Sequence, residues 1–194
     1  MKDFKFDKLA ANYDEGYKGS VSQKFYKLLM KEITLQSGDK VLDVGCGTGT
    51  LLGYIASAVD IEGCGVDAEE KMIEVAREKH KNIEFSVASC DKLPFDGQKF
   101  EAVIACMAYH HFNNKDGFAM EAARVLKPGG VLYIVDPLFP LLMRKIINGI
   151  LRLFRITGNF YTPQEIESRF AKYGFTGIGI AIDTYAQVVK LKSN

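Results

Sequence analysis

The segment Val41-Leu42-Asp43-Val44-Gly45-Cys46-Gly47-Thr48-Gly49-Thr50 carries the strongest fold signal in this sequence of 194 residues. It combines an apolar run, a turn with three alternating glycines and the start of a helical pattern. Glycines are required where a ligand approaches the backbone, and free N–H groups at a helix start bind polar ligand atoms. The spacing is GxGxG, whereas the dinucleotide fingerprint GxGxxG would need a glycine at Thr50. The segment therefore predicts a strand, turn and helix that hold a small-molecule ligand.

Short β-like runs alternate with helical patterns from residue 40 to residue 136, which is typical of βαβ units and a parallel sheet. The β-like runs are 41–44, 61–66, 83–87, 100–106 and 131–135, and the helical patterns are 50–59, 69–79 and 116–126. Lys127-Pro128-Gly129-Gly130 ends the third helix, since proline cannot continue it and glycine readily adopts positive φ. A helix start at Thr162-Pro163-Gln164-Glu165 and the runs 176–182 and 186–191 complete an α/β pattern.

The N-terminal residues 1–38 predict a helical cover on this sheet. In it, Ser20 and Gln23 form a capping box ahead of a helix whose apolar face contains Val21, Phe25, Leu28 and Leu29. We treat residues 1–194 as one domain of ordinary size with a single core.

Residues 137–160 predict an amphipathic insertion after the fifth run. Residues 138–156 contain no acidic side chain, and one helical stripe contains Arg144, Asn148, Arg152 and Arg155. Leu, Ile, Met and Phe form the opposite face. Three alternatives follow: a lid over an apolar substrate pocket, a packed helix with a solvated basic edge, or a peripheral contact with an anionic membrane. We favour the lid, with a break at Asn148-Gly149.

Composition limits the function classes. The 25 Lys and Arg residues nearly balance the 24 Asp and Glu residues, so the chain has no basic field for nucleic acid, and we expect a small-molecule acceptor. The four cysteines contain no CxxC pair, so their spacing predicts neither a metal site nor a disulfide framework. The N-terminus lacks an apolar signal peptide, and no apolar run is long enough to span a membrane. We therefore expect a cytoplasmic protein.

Two acids frame the glycine turn. Asp67 ends the second β-like run, where a carboxylate accepts hydrogen bonds from the hydroxyls of a ribose. The alternative is that Asp67 caps the helix that begins near Glu69. Asp43 precedes the turn, where a carboxylate suits the ammonium or sulfonium end of S-adenosylmethionine (SAM). The alternative for Asp43 is an acid satisfied by backbone donors.

The segment 41–50, together with Asp67, resembles the first motifs of the class I SAM-dependent methyltransferases. Lys92-Leu93-Pro94-Phe95 and residues 121–130 are similar to later motifs of that family. Residues 6–14 resemble the opening of its small-molecule branch, which includes quinone-biosynthesis methyltransferases. The resemblance implies a Rossmann-like fold with a mostly parallel seven-stranded sheet, helices on both faces and an antiparallel C-terminal strand. It also implies methyl transfer from SAM to a small molecule, with S-adenosylhomocysteine as product. The apolar face of residues 138–156, interpreted as a lid, leads us to expect an apolar or aromatic acceptor.

The resemblance implies roles at the methionine end of the cofactor. Asp43 and the backbone carbonyl of Cys106 would hold the ammonium group, and Tyr13 would close over the cofactor. The methionine part would lie among the residues of the turn, namely Gly45, Cys46, Gly47 and Gly49.

The resemblance also implies roles at the nucleoside end. Asp67 would bind the ribose, and Ala68 and the backbone N–H of Cys90 would lie beside the adenine. The family often has an Asp at the position of Ser89, where it contacts the adenine amino group. We expect Ser89 or Asp91 to accept that hydrogen bond here.

Tyr109-His110-His111 follows the fourth β-like run, at the sheet edge where ligands of open α/β folds bind. A histidine accepts a proton near neutral pH, and a base is needed only when the acceptor must lose one. We name His110 as the catalytic candidate; the alternative is that the histidines pack against the helix near Asp116. Two rival functions stay open: an NAD(P)-dependent oxidoreductase, and a SAM-binding protein without transferase activity.

Overall fold

The computed structural model describes residues 17–194, and for residues 17–20 the backbone alone. Tyr13 and the motif at 6–14 lie outside the described residues. The helices are α1 Tyr17–Glu32, α2 Thr50–Ala58, α3 Glu70–Lys79, α4 Lys115–Val125, α5 Leu141–Leu153 and α6 Pro163–Phe170. The strands are β1 Lys40–Val44, β2 Glu62–Asp67, β3 Glu84–Val87, β4 Phe100–Cys106, β5 Leu126–Pro137, β6 Phe175–Asp183 and β7 Ala186–Ser193.

The seven strands form one sheet in the order β3-β2-β1-β4-β5-β7-β6. The first five strands in this order are mutually parallel, and β7 runs antiparallel to both β5 and β6. The predicted Rossmann-like α/β fold is confirmed. The strand order changes direction at β1, which has β2 on one side and β4 on the other. Ligands of such sheets bind beyond the carboxyl ends of the strands at this switch point.

Helices cover both faces of the sheet. Because its strands are therefore buried on both sides, they are apolar at successive positions. On one face, α1, α2 and α3 contribute buried side chains that include Leu29, Leu52, Ile55 and Ile73. On the other face, α4 and α6 contribute side chains that include Phe118, Ala122, Ile166 and Phe170. The two layers leave the carboxyl ends of β1 to β4 open for a site.

The structure corrects two local predictions. Helix α1 is already formed at Tyr17, so Ser20 lies inside the helix and the capping box of Ser20 and Gln23 is wrong, although Phe25 is buried as expected. Strand β5 begins at Leu126, whereas sequence spacing placed its start at residue 131. Gly129 in this early stretch has φ of 79°, and the pairing with β4 shifts register between Phe100 and Ala102.

Helix α5 is continuous across Asn148-Gly149, so the predicted break is wrong. Its polar side faces the rest of the protein: Asn148 donates to the Phe160 carbonyl at 3.0 Å and accepts from the Phe160 N–H at 3.0 Å. Arg144 pairs with Glu165, which also forms a capping box with Thr162 at the start of α6, where a helix start was predicted. Between residues 17 and 194, no helix has the length and apolar character needed to cross a bilayer.

Candidate functional site

A cavity of about 370 Å³ opens at the carboxyl ends of β1 to β4. The loops after these four strands supply most of its wall, as the switch-point rule predicts. Its lining residues are Val44, Gly45, Gly47, Asp67, Ala68, Glu69, Met72, Ala88, Ser89, Cys90, Asp91, Met107, Ala108, His111, Phe112, Asn113, Asn114 and Thr157. Residues that lie far apart in the chain therefore meet in one concave site.

The glycine turn forms one wall of this cavity. Gly45, Gly47 and Gly49 all have positive φ, at 79°, 53° and 76°, which side-chain-bearing residues rarely adopt. A Cβ atom at Gly45 would lie 2.5 Å from the Cβ of Ala108, so this glycine is required for packing against the loop after β4. A Cβ atom at Gly47 would meet no atom within 4 Å, so Gly47 exposes its backbone to open space at the cavity wall.

Asp67 connects the glycine turn to the loop after β2. One carboxylate oxygen accepts the Gly47 N–H at 2.9 Å, and the other accepts the Glu69 N–H at 2.9 Å. Burial raises the pKa of Asp67, and these backbone donors oppose that rise. Asp67 therefore supports the chain just before α3, as the capping alternative requires, and also lines the cavity.

Asp43 is a buried acid directly before the turn, with 2% of its surface exposed. Its Oδ1 atom has no hydrogen-bond partner in the described part of the chain. Burial, followed by the charge of Asp67, raises the pKa of Asp43 to about 8. The alternative, in which backbone donors satisfy the whole Asp43 carboxylate, therefore does not hold for its Oδ1 atom. A cation brought to this position would gain a strong charge-assisted hydrogen bond.

Three predicted nucleoside-end residues, Ala68, Cys90 and Asp91, line the cavity together with Ser89. Ser89 donates its hydroxyl to Asp91, and Asn114 donates to the other Asp91 oxygen at 2.9 Å. The Ser89 hydrogen bond is the main reason that the pKa of Asp91 is lowered. Ser89 and Asp91 therefore act as one polar pair. Asn114 was missed from the sequence because its role depends on the contact between two separate loops.

Some predicted residues lie behind the wall. Asp43, Cys46 and Cys106 are buried and do not line the cavity, and burial raises the pKa of all three side chains. A Cβ atom at Gly49 would lie 2.6 Å from the Phe85 ring, so the space next to this glycine is filled by protein. In the described part of the chain, no cluster of three His, Cys, Asp or Glu side chains could hold a metal ion.

The two histidines occupy different positions. His111 lines the cavity, whereas His110 is buried beside it, with 4.0 Å between the two ring centroids. Nδ1 of His110 lies 2.8 Å from a carboxylate oxygen of Asp136, and the Phe160 ring stacks on His110 at 4.9 Å. Asp136 was missed from the sequence, where the fifth run was ended at residue 135. The sequence signal that could have identified Asp136 is an acid at the carboxyl end of a predicted strand.

The segment after α5 reaches the cavity through Thr157, whose Oγ1 atom is buried and has no partner among the described residues. The backbone N–H of Asn159 donates to the His110 carbonyl at 2.9 Å, which fixes this segment against the loop after β4. The insertion therefore contributes to the site through its C-terminal loop. The side chains of α5 itself do not line the cavity.

A family model described as a methyltransferase domain matches residues 41–130. The chain is 33% identical over 195 aligned residues to the demethylmenaquinone methyltransferase of Chlorobaculum tepidum, covering 89% of this chain and 79% of the relative. It is 27% identical to the demethylmenaquinone methyltransferase of Thermotoga maritima, covering 88% of this chain and 86% of the relative. These relatives support the resemblance drawn from the glycine turn and its flanking motifs.

Among solved structures, a chain of the complex between the Haloferax volcanii Trm112 methyltransferase activator and a methyltransferase superposes with a TM-score of 0.82. The superposition covers 97% of both chains at 21% identity, which supports the fold. None of these comparisons supports the oxidoreductase alternative. The chain belongs to the class I methyltransferase family.

Proposed function

We propose that this chain binds SAM in the cavity and transfers its methyl group to a small, apolar or aromatic acceptor. The observation that carries the proposal is the buried Oδ1 atom of Asp43, which lacks a partner among the described residues. Burial and the charge of Asp67 raise the pKa of Asp43, and the ammonium group of SAM would supply a cation that favours the carboxylate. The class I family and fold imply the use of SAM.

The residues present fit the cofactor along its length. Asp43 and the Cys106 carbonyl would hold the methionine end beside Gly45 and Gly47. Asp67 would accept hydrogen bonds from the ribose, since each carboxylate oxygen has lone pairs beyond the one used by a backbone donor.

The adenine end of the cofactor would lie beside Ala68 and Cys90. The pair formed by Ser89 and Asp91 lines the same cavity and supplies oxygen acceptors for the adenine amino group. This pair takes the place of the single Asp that the family often has at the position of Ser89.

Bound SAM supplies an electrophilic methyl group on a sulfonium, and the protein must align the acceptor with it and exclude water. An acceptor that loses a proton also needs a base. We assign that role to His110 and a positioning role to Asp136, because a carboxylate that accepts the Nδ1 hydrogen leaves Nε2 as the proton acceptor. His111 would form part of the wall beside the acceptor.

The acceptor class rests on the relatives and on the apolar wall. The C. tepidum and T. maritima relatives are named for demethylmenaquinone, and Met72, Met107, Ala108 and Phe112 provide apolar lining here. We propose that residues 137–160 close this site, with Thr157 as the residue that reaches the bound molecules. We also propose that residues 1–194 form a single domain.

Calorimetry with SAM, S-adenosylhomocysteine and NADH tests the cofactor. We expect both SAM compounds to bind with micromolar affinity, and binding of NADH alone would contradict the proposal. Incubation with methyl-labelled SAM and reduced demethylmenaquinone tests the acceptor class. SAM binding without labelled product from any apolar aromatic acceptor would favour a binding protein without transferase activity.

A further inference from the structure

One face of α5 is apolar and turned to solvent. Leu142 and Leu153 are 73% and 76% exposed, and Ile146 is 54% exposed. At the spacing of an α-helix, five of its exposed apolar side chains fall within an arc of about 100°. We call these five residues, Leu142, Met143, Ile146, Ile150 and Leu153, the outer face of α5. Single exposed apolar residues are ordinary, but a contiguous apolar face indicates an interaction surface.

The opposite side of α5 fixes this orientation. Asn148 makes two hydrogen bonds to the backbone of Phe160, and Arg144 pairs with Glu165. Rotating the helix to bury its outer face would break these contacts and leave Arg144, most of whose side chain is buried, without its acid. The apolar face is therefore held outward by polar contacts on the other side of the helix.

Charge indicates the kind of partner. Lys145, Arg152 and Arg155 are exposed, and residues 138–156 contain no acid. On the helix surface, Lys145 and Arg152 lie along one edge of the outer face. An apolar face bordered by cations is the pattern of helices that lie in the headgroup region of anionic membranes. The long side chains of Lys and Arg can bury their apolar stems there while their charges reach the headgroups.

A second exposed apolar group lies at the same edge of the sheet. The Leu138 N–H, just before α5, donates to the Tyr185 carbonyl in the turn between β6 and β7 at 2.8 Å. Tyr185 and Ile182 are exposed, and Asp183 is the acid of this turn. The turn thus extends the apolar surface beyond α5.

We propose that the outer face of α5, with the turn between β6 and β7 beside it, docks on the surface of an anionic lipid bilayer. In this orientation the docked helix ends four residues before Thr157, which lines the cavity. A lipid-soluble acceptor then enters the site without crossing water. That last step rests on the proposed function, whereas docking itself does not.

Tryptophan fluorescence tests the docking, because the native chain contains no tryptophan. In the otherwise native full chain, Phe154→Trp places a single fluorophore next to the outer face. With vesicles of equal parts phosphatidylcholine and phosphatidylglycerol, we expect a blue shift and quenching by brominated acyl chains. The matched variant Tyr54→Trp, exposed on α2, should show neither. An unchanged spectrum at Phe154→Trp would overturn the proposal.

Sedimentation with the same vesicles measures the energetic contribution. The double variant Leu142→Ser/Leu153→Ser should partition at least about tenfold more weakly, since membrane binding scales with buried apolar area. Met120→Ser, at an exposed position on α4, should partition like the native chain. Lys145→Glu/Arg152→Glu should remove the preference over pure phosphatidylcholine. Unchanged partitioning of the Leu variant would overturn the proposal.

A concentration-dependent dimer that is lost in the Leu variant, without vesicle binding, would overturn the proposal by assigning the face to a second copy of the chain. Both vesicle assays are performed without SAM or acceptor, and SAM affinity is measured separately by calorimetry. A protein that binds SAM normally but not vesicles would therefore contradict the docking proposal alone, whereas a loss of SAM binding would contradict the proposed function.

Discussion

Replacing Asp43 by Asn tests whether its buried carboxyl receives the ammonium group of SAM. Because the pKa of Asp43 is raised to about 8, about nine molecules in ten carry a proton on this group at pH 7 when no ligand is bound. An ammonium group favours the carboxylate, so SAM binding near pH 7 should release a proton. Each further pH unit below 8 should then weaken binding by about tenfold.

The magnitude for the variant follows from the loss of one charge-assisted hydrogen bond. Near pH 8, Asp43→Asn should weaken SAM binding by about 1.5–3 kcal/mol, the usual range for a hydrogen bond to a charged group. The asparagine does not titrate, so the affinity of the variant should change little between pH 6 and 8. The native protein loses affinity as the pH falls, and the difference between the two should therefore shrink toward pH 6.

Titration calorimetry at pH 6, 7 and 8, in two buffers of different ionisation enthalpy, measures both affinity and proton release. 5′-Methylthioadenosine lacks the ammonium group and serves as the control ligand. Any pH dependence that comes from Asp67, whose pKa burial also raises, should appear with both ligands. Absence of proton release by the native protein, or an undiminished pH slope in Asp43→Asn, would refute the assignment.

The same substitution has a second consequence for the ligand-free protein. The pKa of Asp43 is higher in the folded than in the unfolded chain, so its contribution to stability is complete below about pH 4 and is lost as the pH rises toward 8. Asp43→Asn should therefore be more stable than the native chain at pH 8, by on the order of a few kcal/mol. Urea unfolding without SAM measures this difference. A variant that is less stable at pH 8 would contradict it.

Four further substitutions address the rest of the site. Asp67→Ala should weaken SAM binding by about 1.5–3 kcal/mol in calorimetry and lower the melting temperature, because two backbone N–H groups lose their acceptor; equal SAM affinity would show that the acid is misassigned. Gly47→Ala should fold with only about 1 kcal/mol of backbone strain and bind SAM more weakly, whereas Gly45→Ala should lower the melting temperature markedly, and the reverse order would refute the roles given to the turn. Asp136→Asn should reduce kcat by about a hundredfold or more for an acceptor that loses a proton, with SAM affinity unchanged, because His110 loses its positioning carboxylate; an unaltered kcat would remove His110 from the mechanism.

Local patterns were enough to predict the fold. The short apolar β-like runs, the helical period of the segments between them and the turn at Gly45 to Gly49 all depend on neighbours within a few residues. The bounds of β4 agree with the predicted run 100–106, and α6 begins at the predicted helix start, where Thr162 and Glu165 form a capping box. Asp67 was identified because its distance from the turn is fixed by the length of one βαβ unit.

The chemical environment of the site could be identified only from the tertiary structure. The pair of His110 and Asp136 forms because β4 and β5 are neighbours in the sheet, which no periodicity encodes. The Oδ1 atom of Asp43 is buried and has no partner among the residues described, which only the packing of distant elements could reveal.

Helix α5 shows the same division between sequence and tertiary structure. Its sequence gives an apolar face and a polar stripe but not which of them meets the protein. That choice is made by Asn148 and Arg144, which bind Phe160 and Glu165 across the following loop. Sequence determined the elements and the cofactor turn because those signals are local, whereas burial, pairing and orientation were decided by contacts between distant parts of the chain.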